Sequence, residues 1–430
     1  MVDFDVYDDN GYLLDETTIS NDNFVNEFID GINNKVDKSI KYQKIQLFKN
    51  SYTDVYFSNS KISKNKKSVI IMIHELSRTG APIVALDTAK VLVKNGFFVT
   101  VISLRDGALL EEFIKLGSPV VIMNDLKLLQ YRGEGCSHFV NKLDLDLFVP
   151  NFDDTIFITA TLYNYVRRYF NIQKKLYWWI HEGTATYGFL GNMMPKVVPK
   201  NIKVLTGGQY ASDCLKAAGF LYYPSVLNYG VEEEKEIVKK RSKHKDDKVV
   251  FMLAGTICYR KGQRYLLNAI KGLSKEELDK SSFVFVGDPY EHDADGFLIK
   301  DEIENAMKQF SNISLVKSLS RNELYEMYSK IDVLVIPSTD DPMPVVATEN
   351  FMLSNACMVS NKTGTAYYIT DKENGFVFNL DDPNELREKI SYVINNRDEL
   401  DKIKKNGRTI FDNYFRMDNF EEKLVKLLGE

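Results

Sequence analysis

Short apolar, β-branched runs alternate with helical stretches along this chain, and the alternation occurs twice in succession. The first series opens at Val69-Ile70-Ile71-Met72-Ile73, the kind of run expected of a parallel strand buried on both faces. The loop Ser77-Arg78-Thr79-Gly80 follows, with Pro82 suited to a first helical turn. Ala85, Leu86, Ala89, Leu92 and Val93 then recur at helical spacing, and Asn95-Gly96 supplies a stop. Phe97-Phe98-Val99-Thr100-Val101-Ile102 reads as the next strand, completing a βαβ unit with a right-handed parallel crossover. Further strands are expected at 120–122, 155–159, 175–180 and 203–206. A charged run from Glu232-Glu233-Glu234 to Lys248 reads as an interdomain linker, after which the alternation restarts. Its strands are expected at 249–253, 283–286, 313–316, 332–336, 357–360 and 375–378.

Two such series predict two doubly wound α/β domains, and 430 residues exceed what one hydrophobic core normally organises. The expected division is an N-terminal extension over 1–67, Rossmann-like domains over 68–232 and 233–410, and a C-terminal helix over 411–430. The extension, rich in Asp, Asn, Ser and Lys, reads as an appended segment with one helix around 23–32. The stretch from Arg397 to Glu430 reads as wholly helical.

Composition narrows the function classes. With 44% hydrophobic residues, global disorder is excluded, and a net charge of −5 offers no global attraction to nucleic acid. Cys136, Cys214, Cys258 and Cys357 lie far apart without a CxxC pair, which suits neither a disulfide scaffold nor a zinc site and points to a reducing cytoplasm. The acidic start Met1-Val2-Asp3-Phe4-Asp5 lacks the pattern of a signal peptide. No apolar run approaches the roughly 18–20 residues that span a bilayer. A cytoplasmic chain is expected, at most peripheral at the inner face of the cell membrane. Tyr163, Tyr165, Arg167, Arg168 and Tyr169 suit either a basic-aromatic face for such a surface or a solvated helix face.

In open parallel sheets, ligands bind beyond the carboxyl ends of the strands. Four post-strand loops therefore matter. In His74-Glu75-Leu76-Ser77-Arg78-Thr79-Gly80-Ala81-Pro82, the glycine before a helix opens backbone amides to an anion, with Arg78 able to add charge, although a plain tight turn uses the same residues. Gly255-Thr256-Ile257-Cys258-Tyr259-Arg260-Lys261-Gly262 places adjacent cations between strand and helix, suited to a diphosphate or simply to solvent. Its glycine spacing is not that of a Walker A loop. Pro337 to Glu349 puts Asp341 in a loop and Glu349 about a turn into a helix starting near Pro344, so both carboxylates can face one crevice and hydrogen-bond sugar hydroxyls. As alternatives, Asp340 and Asp341 are helix N-terminal charges and Glu349 a surface residue. Ser360-Asn361-Lys362-Thr363-Gly364 adds a loop nearby. His181-Glu182-Gly183 ends the aromatic strand Tyr177-Trp178-Trp179-Ile180, where His181 reads as a cleft residue or a satisfied structural histidine. No HExxH, GxSxG or metal cluster is present in the sequence.

In this order the motifs resemble the family-4 glycosyltransferases, over residues 68–430. The most specific part is an acidic residue, seven intervening residues and Glu, here Asp341 through Glu349. Gly255…Lys261-Gly262, Phe283-Val284-Phe285-Val286-Gly287, Gly364, Asn374-Gly375, Gly80-Ala81-Pro82, His181 and Asn228-Tyr229-Gly230-Val231 fall in the family's order around it. The resemblance implies a GT-B fold, with two Rossmann-like domains facing a central cleft and C-terminal helices crossing back to the first. It implies a retaining transferase that moves a sugar from a nucleotide-diphosphate donor, with UDP-sugars favoured, to a saccharide, lipid-linked or protein-linked acceptor in bacterial surface-glycan assembly. No metal would be required. Lys261 and Arg260 would neutralise the leaving diphosphate, and Glu349 would bind ribose. Asp341 and the backbone of Met343, Pro344 and Val345 would hold the sugar. Gly80 and Ala81 would present amides to phosphate, and His181 would contact the donor sugar. Gly255 and Thr256 would complete the donor loop, although the family usually has Arg where Thr256 stands and Glu where Asp341 stands. Those departures leave an alternative, a non-catalytic GT-B subunit that binds glycan or glycoprotein and supports a partner glycosyltransferase, against which Lys261 and Glu349 argue. A dinucleotide-dependent oxidoreductase is disfavoured, since no GxGxxG follows a first strand.

Overall fold

The computed structural model describes residues 2–7, 13–19, 42–47, 53–58, 67–123, 154–158, 175–190, 195–234, 248–291 and 293–429. Every apolar run of the two series becomes a strand. In chain order, β1 is Val2–Tyr7, β2 Leu13–Ile19, β3 Tyr42–Leu47, β4 Thr53–Ser58, β5 Ser68–Ile73 and β6 Phe98–Ser103. Then follow β7 Val120–Met123, β8 Asp154–Ile158, β9 Lys175–Ile180, β10 Ile202–Thr206 and the short β11 Ser225–Val226. The second series gives β12 Val249–Ala254, β13 Ser281–Val286, β14 Ile313–Val316, β15 Val333–Ile336, β16 Ala356–Ser360 and β17 Phe376–Phe378.

The first sheet has the order β11-β10-β9-β8-β5-β6-β7-β4-β3-β1-β2, and the second β14-β13-β12-β15-β16-β17. From β5 to β11, and throughout the second sheet, neighbouring strands are parallel. In both sheets the chain winds outward from its first parallel strand, returns and winds the other way. The reversal falls between β5 and β8 in one sheet and between β12 and β15 in the other. Such reversals open a crevice at the strands' carboxyl ends.

Burial on both faces explains the unbroken apolar runs. In β12, Val249, Phe251 and Leu253 join one apolar cluster, while Met252 and Ala254 join another that continues into the first domain through Tyr229, Met343 and Phe420. The helix after β5 spans Gly80–Lys94 and buries Val84, Ala85, Leu86, Ala89, Val91 and Leu92. It stops as expected at Asn95, with Gly96 in the left-handed conformation at φ 85.

Two expectations need correction. The first sixty-odd residues are not merely appended, because β1 to β4 pair antiparallel and β4 adds to β7 from Thr53↔Met123 to Tyr56↔Val120. Val55 and Phe57 of β4 are fully buried. The helix expected at 23–32 lies outside the described residues. The C-terminal stretch is not one continuous helical run either. Helix Arg397–Ile410 passes into a π-helical turn, Phe411–Phe415, and the backbone becomes extended at Arg416 before helix Met417–Gly429.

That break turns the chain back onto the first domain. Phe420 stacks on Trp179 with ring centroids 5.8 Å apart, Tyr177 Oη donates to the Leu427 carbonyl at 2.9 Å, and Lys94 pairs with Glu421 at 2.6 Å. The outgoing and returning crossings run side by side, Val231 N donating to the Phe415 carbonyl at 2.8 Å. Glu233 accepts from both Arg408 and Arg416 there. The middle of the charged linker, 235–247, lies outside the described residues, as do Tyr163, Tyr165, Arg167, Arg168 and Tyr169. Among the described residues, no helix is long and apolar enough to cross a membrane.

Candidate active site

The two reversal points face one another. A Cβ built on Gly80, where the first domain's helix starts, would lie 3.8 Å from Cγ2 of Val345, the first residue of helix Val345–Met352. Two helix N-termini therefore oppose each other across the cleft, with Ala81 beside one and the N-cap Pro344 at the other. Both ends are favourable for negative charge.

The cations sit beside this gap. The turn Tyr259–Lys261 follows β12 and ends at Gly262, whose φ of 76 is left-handed and whose missing Cβ would lie 1.9 Å from the Pro337 carbonyl oxygen. This close approach welds the loop after β12 to the loop after β15, and only glycine permits it. Lys261 Nζ consequently reaches Asp341 Oδ2 at 2.6 Å, and Arg260 Nη1 lies 3.4 Å from the same oxygen. Arg260 also donates to the Asp340 carbonyl at 3.1 Å. The Lys261 side chain runs along Gly255, and the Thr256 carbonyl accepts from Gln263. Burial alone would push the Asp341 carboxyl up, but Lys261 and Arg260 outweigh it and hold the group below its ordinary range.

Glu349 lies deeper, with its side chain 5% exposed. Its Oε1 accepts from Arg321 Nε at 3.0 Å and Tyr325 Oη at 3.2 Å, while burial raises the carboxyl above its ordinary range against those two donors. The two carboxylates of the motif thus have separate partners: Asp341 faces the Lys261 loop, and Glu349 faces the helix Arg321–Tyr328. Neither is a surface residue.

His181 sits at the end of β9, 4.6 Å from the Trp179 ring by centroids, with Gly207 close to Nδ1. Its Nε2 is buried and has no hydrogen-bond partner among the described residues. Burial, reinforced by the neighbouring His74, lowers its pKa to about 3, so the imidazole is neutral at physiological pH. Arg78 departs from expectation. Its guanidinium pairs with Glu112 at 2.6 Å.

Sequence reading missed the contacts that join the domains. Asp340 Oδ2 accepts from Ala185 N at 2.7 Å and Oδ1 from Tyr210 Oη at 2.9 Å, against a Gly183 whose added Cβ would lie 2.0 Å from that carboxylate. Met343 inserts toward Gly208, and Tyr229 Oη meets Thr348 Oγ1 at 2.9 Å. Gly364 lies against the Pro342 carbonyl, which places the loop after β16 at the same site, as its position after a strand suggested.

A family model described as glycosyl transferases group 1 matches residues 234–410, and another described as glycosyl-transferase family 4 matches residues 65–209. A glycosyltransferase of Methanocaldococcus jannaschii is 28% identical over 159 residues, 36% of this chain and 41% of that protein. The UDP-Gal:alpha-D-GlcNAc-diphosphoundecaprenol alpha-1,3-galactosyltransferase of Escherichia coli is 26% identical over 210 residues, 48% of this chain and 50% of that protein. The chain spans about half the length of these curated relatives. The Anabaena protein HepE, solved in complex with UDP and glucose, superposes with a TM-score of 0.66 at 15% identity, covering 84% of this chain and 99% of that one. That likeness establishes the GT-B arrangement of the two sheets.

Proposed function

The chain belongs through both of its domains to the family-4 glycosyltransferases, and from that premise we propose a retaining, metal-independent enzyme that transfers a hexose from a UDP-sugar to a saccharide hydroxyl. The observation that carries this reading is the pairing of Lys261 and Arg260 with Asp341 beside two opposed helix N-termini. A diphosphate brings more negative charge than one carboxylate, so it can draw Lys261 and Arg260 from Asp341 and then meet the amides following Gly80 and Pro344. These groups oppose the charge that develops as the sugar leaves, typically the largest catalytic contribution in such a step. They supply the neutralisation that a metal ion supplies in other transferases.

The remaining residues suit the rest of the donor. Oε2 of Glu349 carries no hydrogen bond among the described residues and can accept from a ribose hydroxyl. Asp341, once released by Lys261, can turn to the sugar with the backbone of Met343, Pro344 and Val345. A neutral His181 offers the sugar a hydrogen bond without repelling an oxocarbenium-like centre. With Asp341 and Glu349 committed to cations and donor hydroxyls, the leaving phosphate oxygen is the base best placed for the acceptor proton. The acceptor oxygen then bonds to the anomeric carbon on the face from which the phosphate oxygen departs, and configuration is retained.

The acceptor in this reading is a lipid-linked saccharide in surface-glycan assembly at the cytoplasmic face of a membrane, in line with the diphosphoundecaprenol-linked acceptor of the E. coli relative. The test is incubation with UDP-, GDP- and dTDP-sugars and a lipid-linked disaccharide, following nucleotide diphosphate release and the product's anomeric proton coupling. UDP release and an unchanged anomeric configuration are expected. An inverted product rejects retention, and absence of binding to every sugar nucleotide rejects the enzyme.

A further inference from the structure

Glu349 is held by a residue that no loop motif contains. Arg321 is the first residue of helix Arg321–Tyr328, whose start is fixed by Ser320 and Glu323 bonding reciprocally to each other's backbone N–H. Its Nε donates to Glu349 Oε1 at 3.0 Å and to Tyr325 Oη at 2.7 Å, and Tyr325 Oη in turn donates to Glu349 Oε1 at 3.2 Å. The two donors stand four residues apart on one helix face, so they clamp Oε1 together. The far side of the guanidinium meets the first domain, with Nη1 3.8 Å from Oδ2 of the buried Asp87 on helix Gly80–Lys94. Arg321 therefore lies in a row of charges that crosses from one domain to the other.

The other titratable groups facing Glu349 are Asp87 from the first domain's helix, Tyr229 from the strand-to-linker turn, and Tyr325 and Tyr328 from Arg321's own helix. Among these described groups, only Arg321 carries positive charge. We propose that Arg321 is a positioning residue for the donor, which fixes one oxygen of Glu349 and leaves the other aimed at the nucleotide's ribose. The proposal rests on the assignment of this cleft to a sugar nucleotide. Burial already raises the Glu349 carboxyl, and Arg321 is the strongest group opposing that rise. Without it, Glu349 takes a proton at higher pH and ceases to be an ionised acceptor. Donor binding then weakens at neutral pH and recovers as pH rises, because deprotonation restores the acceptor.

The experiment is calorimetric titration of the full chain with UDP, from about pH 6 to about pH 9, comparing wild type, R321K, R321Q and K261A. R321Q should weaken UDP binding about tenfold at neutral pH, with its acid limb displaced to higher pH. R321K should recover most of the affinity, and K261A should weaken binding without displacing the limb. In turnover assays R321Q should raise the donor KM and leave kcat within about threefold. R321Q that binds UDP like wild type with the same pH profile overturns the proposal while leaving the glycosyltransferase reading intact. Wild type that binds neither UDP nor any UDP-sugar overturns both. Should R321Q fail to fold, E349Q replaces it. A pH profile that flattens in E349Q and persists in R321K supports the proposal, and one that persists in E349Q overturns it.

Discussion

The two sheets share one winding plan, yet their edges at the cleft are built from opposite chemistry. At the second sheet, charges meet charges: Lys261 and Arg260 converge on Asp341, and Arg321 on Glu349. At the first sheet the charged side chains pair locally, Glu75 with His74, Arg78 with Glu112 and Glu182 with its neighbour's backbone, and the strand ends otherwise carry His181, neutral and with an unpartnered buried nitrogen, and small residues such as Gly80, Gly183 and Gly207. On the proposed function, the difference follows from what each edge does. A half that holds a nucleotide diphosphate needs strong fields arranged before the ligand arrives, since reorganising them during the reaction costs rate. A half that closes over the sugar needs close approach and hydrogen bonding without adding charge.

Breaking the charged edge should have the largest effect. Lys261→Ala removes the cation nearest Asp341, proposed to face the leaving diphosphate, and is expected to lower kcat by about 10²–10³, measured as UDP release at saturating donor. A smaller loss there, with equal sensitivity of first-sheet variants, would erase the contrast between the edges.

A substitution where the edges meet should come next. Gly183→Ala drives a Cβ to within 2.0 Å of the present Asp340 carboxylate, so the bonds from Ala185 N and Tyr210 Oη must yield. Loss of one or two interdomain hydrogen bonds should lower kcat about tenfold, while UDP affinity, which the proposal assigns mainly to Lys261, Arg260 and Glu349, stays within about twofold. Asp340→Ala, which removes the same two acceptors without any clash, should cost about as much by itself and should add little to Gly183→Ala. Equal losses in UDP affinity and kcat would show that the contact is not a closure contact.

The neutral edge should respond least, and through stability. His181 titrates at about 3 in the folded chain and near its ordinary 6.5 when unfolded, so the unfolded state binds the extra proton between those values. Stability contributed by this group is complete above about pH 6.5 and declines as pH falls toward about 3. His181→Asn should flatten that part of the curve of melting temperature against pH. An unchanged slope would mean that His181 is not the group that responds.

The sequence carried the parallel strands and their loops plainly, because strands buried on both faces leave unbroken apolar runs such as Val249-Val250-Phe251-Met252. It carried the helix start at Pro344 for an equally local reason, the ring's fixed φ. The antiparallel additions were harder to read. In β1, Val2, Phe4 and Val6 alternate with Asp3 and Asp5, a period-two pattern easily mistaken for a polar tail when strand length is short. The break at Arg416 has no Gly or Pro to announce it. At the site, single residues were legible but their partners were not. Lys261 and Asp341 stand 80 residues apart, Arg321 and Glu349 28, and Asp340 meets Tyr210 across 130. Nothing in local spacing encodes such pairings, since the first two arise from the winding of the second sheet and the third from the meeting of the two domains.

The paired crossings at Val231 and Phe415 have a consequence for how such proteins diversify. Everything between them leaves the first domain and returns to it through one doorway, so the second domain is in effect a cassette whose two joints already touch. Exchanging it requires no new geometry at the joints and little loop-closure entropy. Substitutions can therefore accumulate or be exchanged in the cassette while the first domain keeps its own sheet, core and added strands.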